Sequence, residues 1–152
     1  MAIDRRAQAV FDKAIYLMDA QSESSGATIT GDTKEYQVRA VGILNTLLDT
    51  VYPASSTFDA GSGRSRAALD DIKSLEDTLD LDARILREVL PNGLAARLLS
   101  EENPRLANFF QQCFEDGLVR ASAQLPARFE SVDIDESGPY GGIEHGQFGR
   151  WT

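Results

Sequence analysis

Apolar and polar positions follow the period of an α-helix through most of residues 1–125. In the opening segment Ile3, Ala7, Val10, Ala14, Leu17 and Met18 recur at spacings of three and four, with Asp4, Arg6, Asp12, Lys13 and Asp19 between them. This predicts an amphipathic helix of about five turns. The polar run Gln21-Ser22-Glu23-Ser24-Ser25-Gly26 then reads as a loop. A second helix is predicted from Asp32, which can cap the first turn while Glu35 reaches back in a variant of the capping box. Tyr36, Ala40, Ile43, Leu44, Leu47, Leu48 and Val51 form its apolar face, and Pro53 stands where the helix can no longer continue. The Ser- and Gly-rich stretch Ala54 to Arg66, with Phe58 alone in it, reads as a long excursion.

A third helix is expected to start near Asp80 or Asp82 and to carry Ile85, Leu86, Val89 and Leu90 on its buried side. Pro91-Asn92-Gly93 then interrupts it, because proline lacks an amide donor and crowds the preceding turn. The chain is expected either to kink there or to stop and restart over Leu94 to Leu99. A fourth helix has Asn103 as N-cap and Pro104 at its first position, with Leu106, Phe109, Phe110, Cys113, Phe114, Leu118 and Ala121 as its buried stripe. Four such faces, with no convincing strand pattern, predict an all-α bundle of about four main helices over residues 1–125. Residues 126–152 differ in kind. Gly138, Pro139, Gly141, Gly142, Gly146 and Gly149 break regular structure, yet Phe129, Ile134, Tyr140, Ile143, Phe148 and Trp151 supply large apolar groups, as in an extended arm with anchors.

Composition narrows the function classes. The 152 residues fit one domain, and 42% hydrophobic with 26% charged content is ordinary for a globular chain. No apolar run approaches the roughly 20 residues of a membrane span, and no secretion signal marks the N-terminus, so an intracellular protein is expected. The net charge of −9 opposes non-specific attraction to nucleic acid and anionic lipid. Arg5, Arg6, Arg64, Arg66, Arg84, Arg87 and Arg97 are scattered among acids, which argues against sequence-specific DNA binding. Cys113 is the single cysteine and His145 the single histidine, too few for a disulfide, a zinc site or a thiol dyad. No phosphate loop, dinucleotide fingerprint or nucleophile elbow is present, so neither an enzyme nor a resident cofactor is predicted.

The sharpest local motif is Asp133-Ile134-Asp135-Glu136-Ser137-Gly138 with Glu144 twelfth in the series. Oxygen ligands from Asp133, Asp135, Ser137 and Glu144, with a turn-forming glycine sixth, have the spacing of a calcium loop. Pro126 before it and Gly146 and Gly149 after it leave no room for the helices that clamp such a loop. The loop is therefore read as a coincidence in an acidic chain, with a calcium-binding helical module as the alternative function. Asp70, Asp71, Glu76, Asp77, Asp80 and Asp82 read as a solvated face and helix-start charges, not as a metal site.

Four stretches carry a family resemblance: Ala14-Ile15-Tyr16-Leu17-Met18-Asp19, Asp32-Thr33-Lys34-Glu35-Tyr36, Val89-Leu90-Pro91-Asn92-Gly93-Leu94-Ala95-Ala96, and the terminal Tyr140-Gly141-Gly142-Ile143-Glu144-His145-Gly146-Gln147-Phe148-Gly149-Arg150-Trp151. Through them the chain resembles the head-tail connector, or adaptor, proteins of tailed phages and prophages. The resemblance implies a helical bundle that assembles as a ring of about a dozen copies under the portal protein, joins the capsid to a tail or stopper protein, and lets DNA pass without sequence-specific binding. It implies a place in the virion neck, reached from the host cytoplasm during assembly, and no membrane contact. Tyr140, Gly141, Gly142, Ile143, Phe148, Arg150 and Trp151 are then the expected interface residues, on an arm that orders on contact.

Overall fold

A computed structural model of the chain describes residues 2–18, 33–59 and 68–125, and the regular elements among them are all helical. Helix α1 is Ala7–Leu17, α2 is Lys34–Val51, α3 is Leu90–Leu98 and α4 is Pro104–Ala123. A 3-10 turn, Tyr52–Ala54, extends α2 through Pro53, and a π turn, Ile85–Val89, leads directly into α3. The expected all-α architecture is thus present in the described residues. The arm at 126–152, the Asp32 cap and the loop at 21–26 lie outside them.

The short helix α3 is the hub, with α1, α2 and α4 each packed on it. Its sequence explains why: Leu90, Pro91, Gly93, Leu94, Ala95, Ala96 and Leu98 are all buried, and a helix with so few polar positions, Asn92 and Arg97, takes the middle of the bundle. Around it close Val10, Phe11, Ala14 and Ile15 of α1, Ala40, Leu44, Leu47, Leu48 and Val51 of α2, and Ala107, Phe110, Phe114 and Ala121 of α4.

Pro91 does not stop the helix: of the two expectations, the stop and restart at Leu94 is overturned, and the departure from α-helical geometry falls in the turn before the proline, at Ile85–Val89. In a regular α-helix the proline ring would collide with the carbonyl four residues back. Here the preceding turn is widened, with the Leu90 amide donating to the Ile85 carbonyl five residues back. The extra residue in that turn relieves the crowding. Asn92 then donates its side-chain amide to the Glu88 carbonyl at 2.6 Å. Gly93 sits where the three helices meet. A β-carbon added there would lie 2.8 Å from Phe114 Cδ2 and 3.1 Å from Leu47 Cδ1.

α1 is shorter than its apolar pattern suggested, because residues 2–5 are not helical and the backbone at Arg6 is extended. Its first position before the helix is Arg6, which offers no capping side chain. The open amides are met from elsewhere: Ala7 N–H donates to the Asp77 carbonyl at 2.9 Å and Gln8 N–H to the Leu75 carbonyl at 2.7 Å. These acceptors belong to a non-helical strap over residues 68–82. The strap buries Ile72, Leu75, Leu79 and Leu81 and makes an isolated antiparallel bridge between Thr78 and Arg6. The Leu79 amide donates to the Arg5 carbonyl at 2.8 Å, and the Arg5 guanidinium donates to the Leu81 carbonyl. On α2, Asn45 binds Ile72 twice, donating to its carbonyl and accepting from its amide, each at 2.9 Å.

A polar knot fixes the end of α2 against the start of the π turn. Ser55 is wholly buried. Its hydroxyl accepts from the Asp82 amide at 3.0 Å and lies 2.7 Å from the Thr57 hydroxyl. The Asp82 carboxylate accepts from the Ser56 amide at 2.7 Å and from its hydroxyl, while Thr57 donates to the Asp80 carbonyl at 2.7 Å. Asp82 therefore ties down the preceding loop with its side chain and opens the helix only with its carbonyl, which accepts from Leu86 at 3.1 Å. Among the described residues no buried side-chain nitrogen or oxygen lacks a partner.

Candidate interaction surface

The packing that fills the core leaves a few large apolar side chains outside it. Tyr16 on α1 is 60% exposed, Val38 on α2 74%, and Phe109 and Val119 on α4 58% and 69%. Phe109 was expected in the core. It follows Phe110 directly, and neighbouring helical positions differ by about 100° around the axis, so only one of the two can face α3. Ala107, Phe110, Phe114 and Ala121 take that face, and Phe109 meets only the edge of Phe110, with ring centres 5.6 Å apart. Leu106, Cys113 and Leu118 are half-buried at the flanks of the stripe.

Val38 lies in an open groove of about 650 Å³ between α2 and the strap. Val38, Val41 and Gly42 of α2 form one side, Ser74 and Leu75 of the strap the other, and Lys34 and Lys73 stand on its rim. Glu76 also borders it, but its carboxylate pairs with the Arg6 guanidinium at 2.9 Å, and Arg6 in turn holds Asp4 at 2.8 Å. That contact draws the Asp4 carboxyl down to about 2 and raises the guanidinium's proton affinity. Arg6 is shared by Asp4 and Glu76, so the three side chains together carry one negative charge beside the two lysines. The strap covers this side of α2 at Asn45 and leaves the Val38 end open.

Three acidic side chains of the strap, Glu76, Asp77 and Asp82, have structural work. The Asp77 carboxylate accepts the Lys73 amide at 2.7 Å and the Ser74 amide at 3.2 Å, which holds its pKa below the ordinary value. Glu76 pairs with Arg6, and Asp82 binds Ser56. Among the described residues no group of three or more His, Cys, Asp or Glu side chains is placed to hold a metal ion, and no helix is long and apolar enough to cross a membrane. Only Asp82 of the six stands at a helix start; the others lie on the strap. At the far end of α2, Tyr36 donates its hydroxyl to Glu102 in the α3–α4 connection. That hydrogen bond, followed by burial, pushes the phenol up to about 12.

The stretches singled out in the sequence fall in different settings. Val89 to Ala96 is core apart from Asn92, which is half-buried, and within Ala14 to Met18 only Tyr16 is exposed. Asp133, Asp135, Ser137 and Glu144 of the acidic loop lie outside the described residues, as do Tyr140, Gly141, Gly142, Ile143, Phe148, Arg150 and Trp151 of the arm, and His145. The positions that the sequence reading missed are Val38, Gly42 and Val119. Their signal was angular: each lies on the side of its helix away from the buried set. Comparison of the chain with protein-family models, curated proteins and solved structures finds no match.

Proposed function

We propose that this chain is a structural subunit of a tailed-phage or prophage neck, a head-tail connector or adaptor that forms a ring beneath the portal protein and joins the capsid to a tail or stopper protein. The observation that supports this reading is the set of outward anchors Tyr16, Val38, Phe109 and Val119, distributed over α1, α2 and α4 of a bundle whose core is already filled. A subunit with neighbours on more than one side uses such groups as contacts, and aromatic side chains are the strongest of them. The four stretches that resemble the connector family agree with it, and the net charge of −9 leaves DNA free to pass. In this reading Tyr140, Gly141, Gly142, Ile143, Phe148, Arg150 and Trp151 dock on the portal or on an adjacent copy, and the assembly forms in the host cytoplasm. No catalytic step, metal or cofactor is assigned to the chain.

The test is co-expression with the portal protein encoded in the same gene cluster, using the full chain and a chain lacking residues 138–152. Sedimentation and electron microscopy should show a ring on the portal with the full chain and none with the shortened one, whose helicity and melting stay close to the parent. A full chain that remains apart from the portal overturns the function. A shortened chain that joins normally overturns the role given to the arm.

A further inference from the structure

The outer side of α4 carries a seam that its own chain leaves uncovered. Arg105, Phe109, Gln112 and Asp116 are all exposed and follow one another at spacings of four, three and four. This is the repeat by which one helix lies along another, and at 100° per residue it keeps the four within an arc of about 60°. Arg105 and Asp116 stand at opposite ends of the seam, and among the described residues neither side chain enters an ion pair. Half-buried Leu106 and Cys113 border the seam on one side, exposed Asn108 and Glu115 on the other. Arg120, one turn beyond, donates to the Asp116 carbonyl at 3.4 Å. Over Arg105, Glu115, Asp116 and Arg120 the charges cancel, so the face as a whole neither repels nor attracts a second copy of itself. What decides a contact is where the charges stand.

We propose that this seam pairs with the same seam of a second copy, the two α4 helices running antiparallel about a two-fold axis that passes beside Phe109 and Gln112. In that register Arg105 of each copy faces the partner's Asp116, and each Phe109 lies on the partner's Gln112. The two phenyl rings meet beside the axis, where an aromatic anchor contributes most. At the flanks Leu106 comes to the partner's Cys113, and Asn108 to the partner's Glu115. Within the paired stretch no charge faces one of its own sign. Charge also selects the register. A parallel pair would set arginine on arginine and aspartate on aspartate. An antiparallel pair slid by seven residues, which brings Val119 onto Phe109, would gather Glu115 and Asp116 of both copies around the axis. A seam of this length is small for an interface, so the pair is weak and reversible. A two-fold contact closes on two copies and builds no ring. The pair is therefore a state of the free chain, independent of the neck reading, which requires it to part where a neighbour takes Phe109.

The test uses the full chain and four single variants at exposed positions, Phe109→Glu, Arg105→Glu, Asp116→Arg and Val119→Glu. Helicity and melting by circular dichroism should match the parent within a few degrees. In sedimentation velocity the parent should move from the 16.6 kDa chain toward twice that mass as concentration rises. Phe109→Glu should sediment as a single chain. Arg105→Glu and Asp116→Arg should each do the same, because like charges then face each other at both ends. An equal mixture of those two should pair again, since opposite charges are restored at both contacts. Val119→Glu, past the paired stretch, should pair as the parent does. A parent that stays single up to about millimolar concentration overturns the contact, as does a Phe109→Glu chain that pairs or a mixture that pairs no better than its components. A Val119→Glu chain that stays single overturns the register. Failure here with normal portal assembly removes the pair and keeps the neck function; pairing in a chain that never joins the portal does the reverse.

Discussion

Gly93, the tightest of the described glycine positions, gives the most exposed quantitative test. Replacing Gly93 by alanine adds one methyl group where α3 meets α2 and α4. The new carbon would stand 2.8 Å and 3.0 Å from two ring atoms of Phe114 and 3.1 Å from Leu47 Cδ1. Phe114 and Leu47 are both buried, so the ring has to tilt within a filled space. Overpacking of this kind costs about 1–3 kcal/mol, offset by about 1 kcal/mol of helix propensity gained over glycine. The net expectation for Gly93→Ala is a loss of about 1 kcal/mol, with about 2 as the upper end. Gly42→Ala is the internal control, since its added carbon meets nothing within 4 Å and should gain about 0.4–1 kcal/mol. For a chain of this size, 1 kcal/mol moves the melting point by roughly 2–4 °C. Thermal unfolding at low protein concentration should therefore move in opposite directions for the two variants. Combining Gly93→Ala with Phe114→Leu should cost less than the sum of the two single changes, because the smaller side chain makes room for the methyl. A Gly93→Ala protein that melts at or above the parent would refute the claim that close packing requires glycine there.

Asn45→Ala strips both partners from Ile72 and should lower stability by about 1–3 kcal/mol, read by urea unfolding, with faster amide exchange on the strap; an unchanged midpoint would mean that the amide pair does not hold the strap. Asp77 carries a pH dependence of known sign. Its pKa is lowered in the fold by the Lys73 and Ser74 amides, so its contribution is present above the ordinary carboxylate value of 3.8 and fades as pH falls through the lowered native value. The melting difference between the parent and Asp77→Asn should accordingly be largest near neutrality and close in acid, and a constant difference would contradict it. Calcium at about millimolar concentration should leave the melting point unchanged, since a weak loop gains little by mass action. A rise abolished by Asp133→Ala and Glu144→Ala would instead establish the acidic loop as a calcium site.

Helical periodicity made α2 and α4 legible because each presents one apolar stripe and one polar face. The Asn103-Pro104 start of α4 is realised as read, with the Asn103 side chain accepting from the Leu106 amide at 3.1 Å. α3 was harder for a physical reason: seven of its nine residues are buried, so little alternation marks it, and its proline suggested a kink or a break where a π turn carries the helix through. The strap was not legible at all as an element. Ile72, Leu75 and Leu79 are spaced by three and four as in a helix, yet the strap is not helical, and its course depends on partners far away in sequence, Arg5 and Asn45 among them. Phe109 misled because a run of two phenylalanines satisfies a helical stripe on paper, while only Phe110 can point inward. The candidate surface was similarly hidden, since Val38 and Val119 are single residues whose meaning depends on the angle at which they leave their helices.

The way α1 is capped bears on how the chain is made. A helix that carries its own capping residue can close its first turn as soon as it leaves the ribosome, but this one borrows carbonyls from Leu75 and Asp77, and the Arg5 bond to Leu81 spans 76 positions. At roughly 5–20 residues per second, translation needs several seconds to deliver those partners. During that interval the nascent N-terminal segment has neither its cap nor the central helix on which it packs. Folding should therefore complete late and nearly all at once, when α3 emerges, and a ribosome stalled before residue 98 should hold a chain that proteases cut freely within α1.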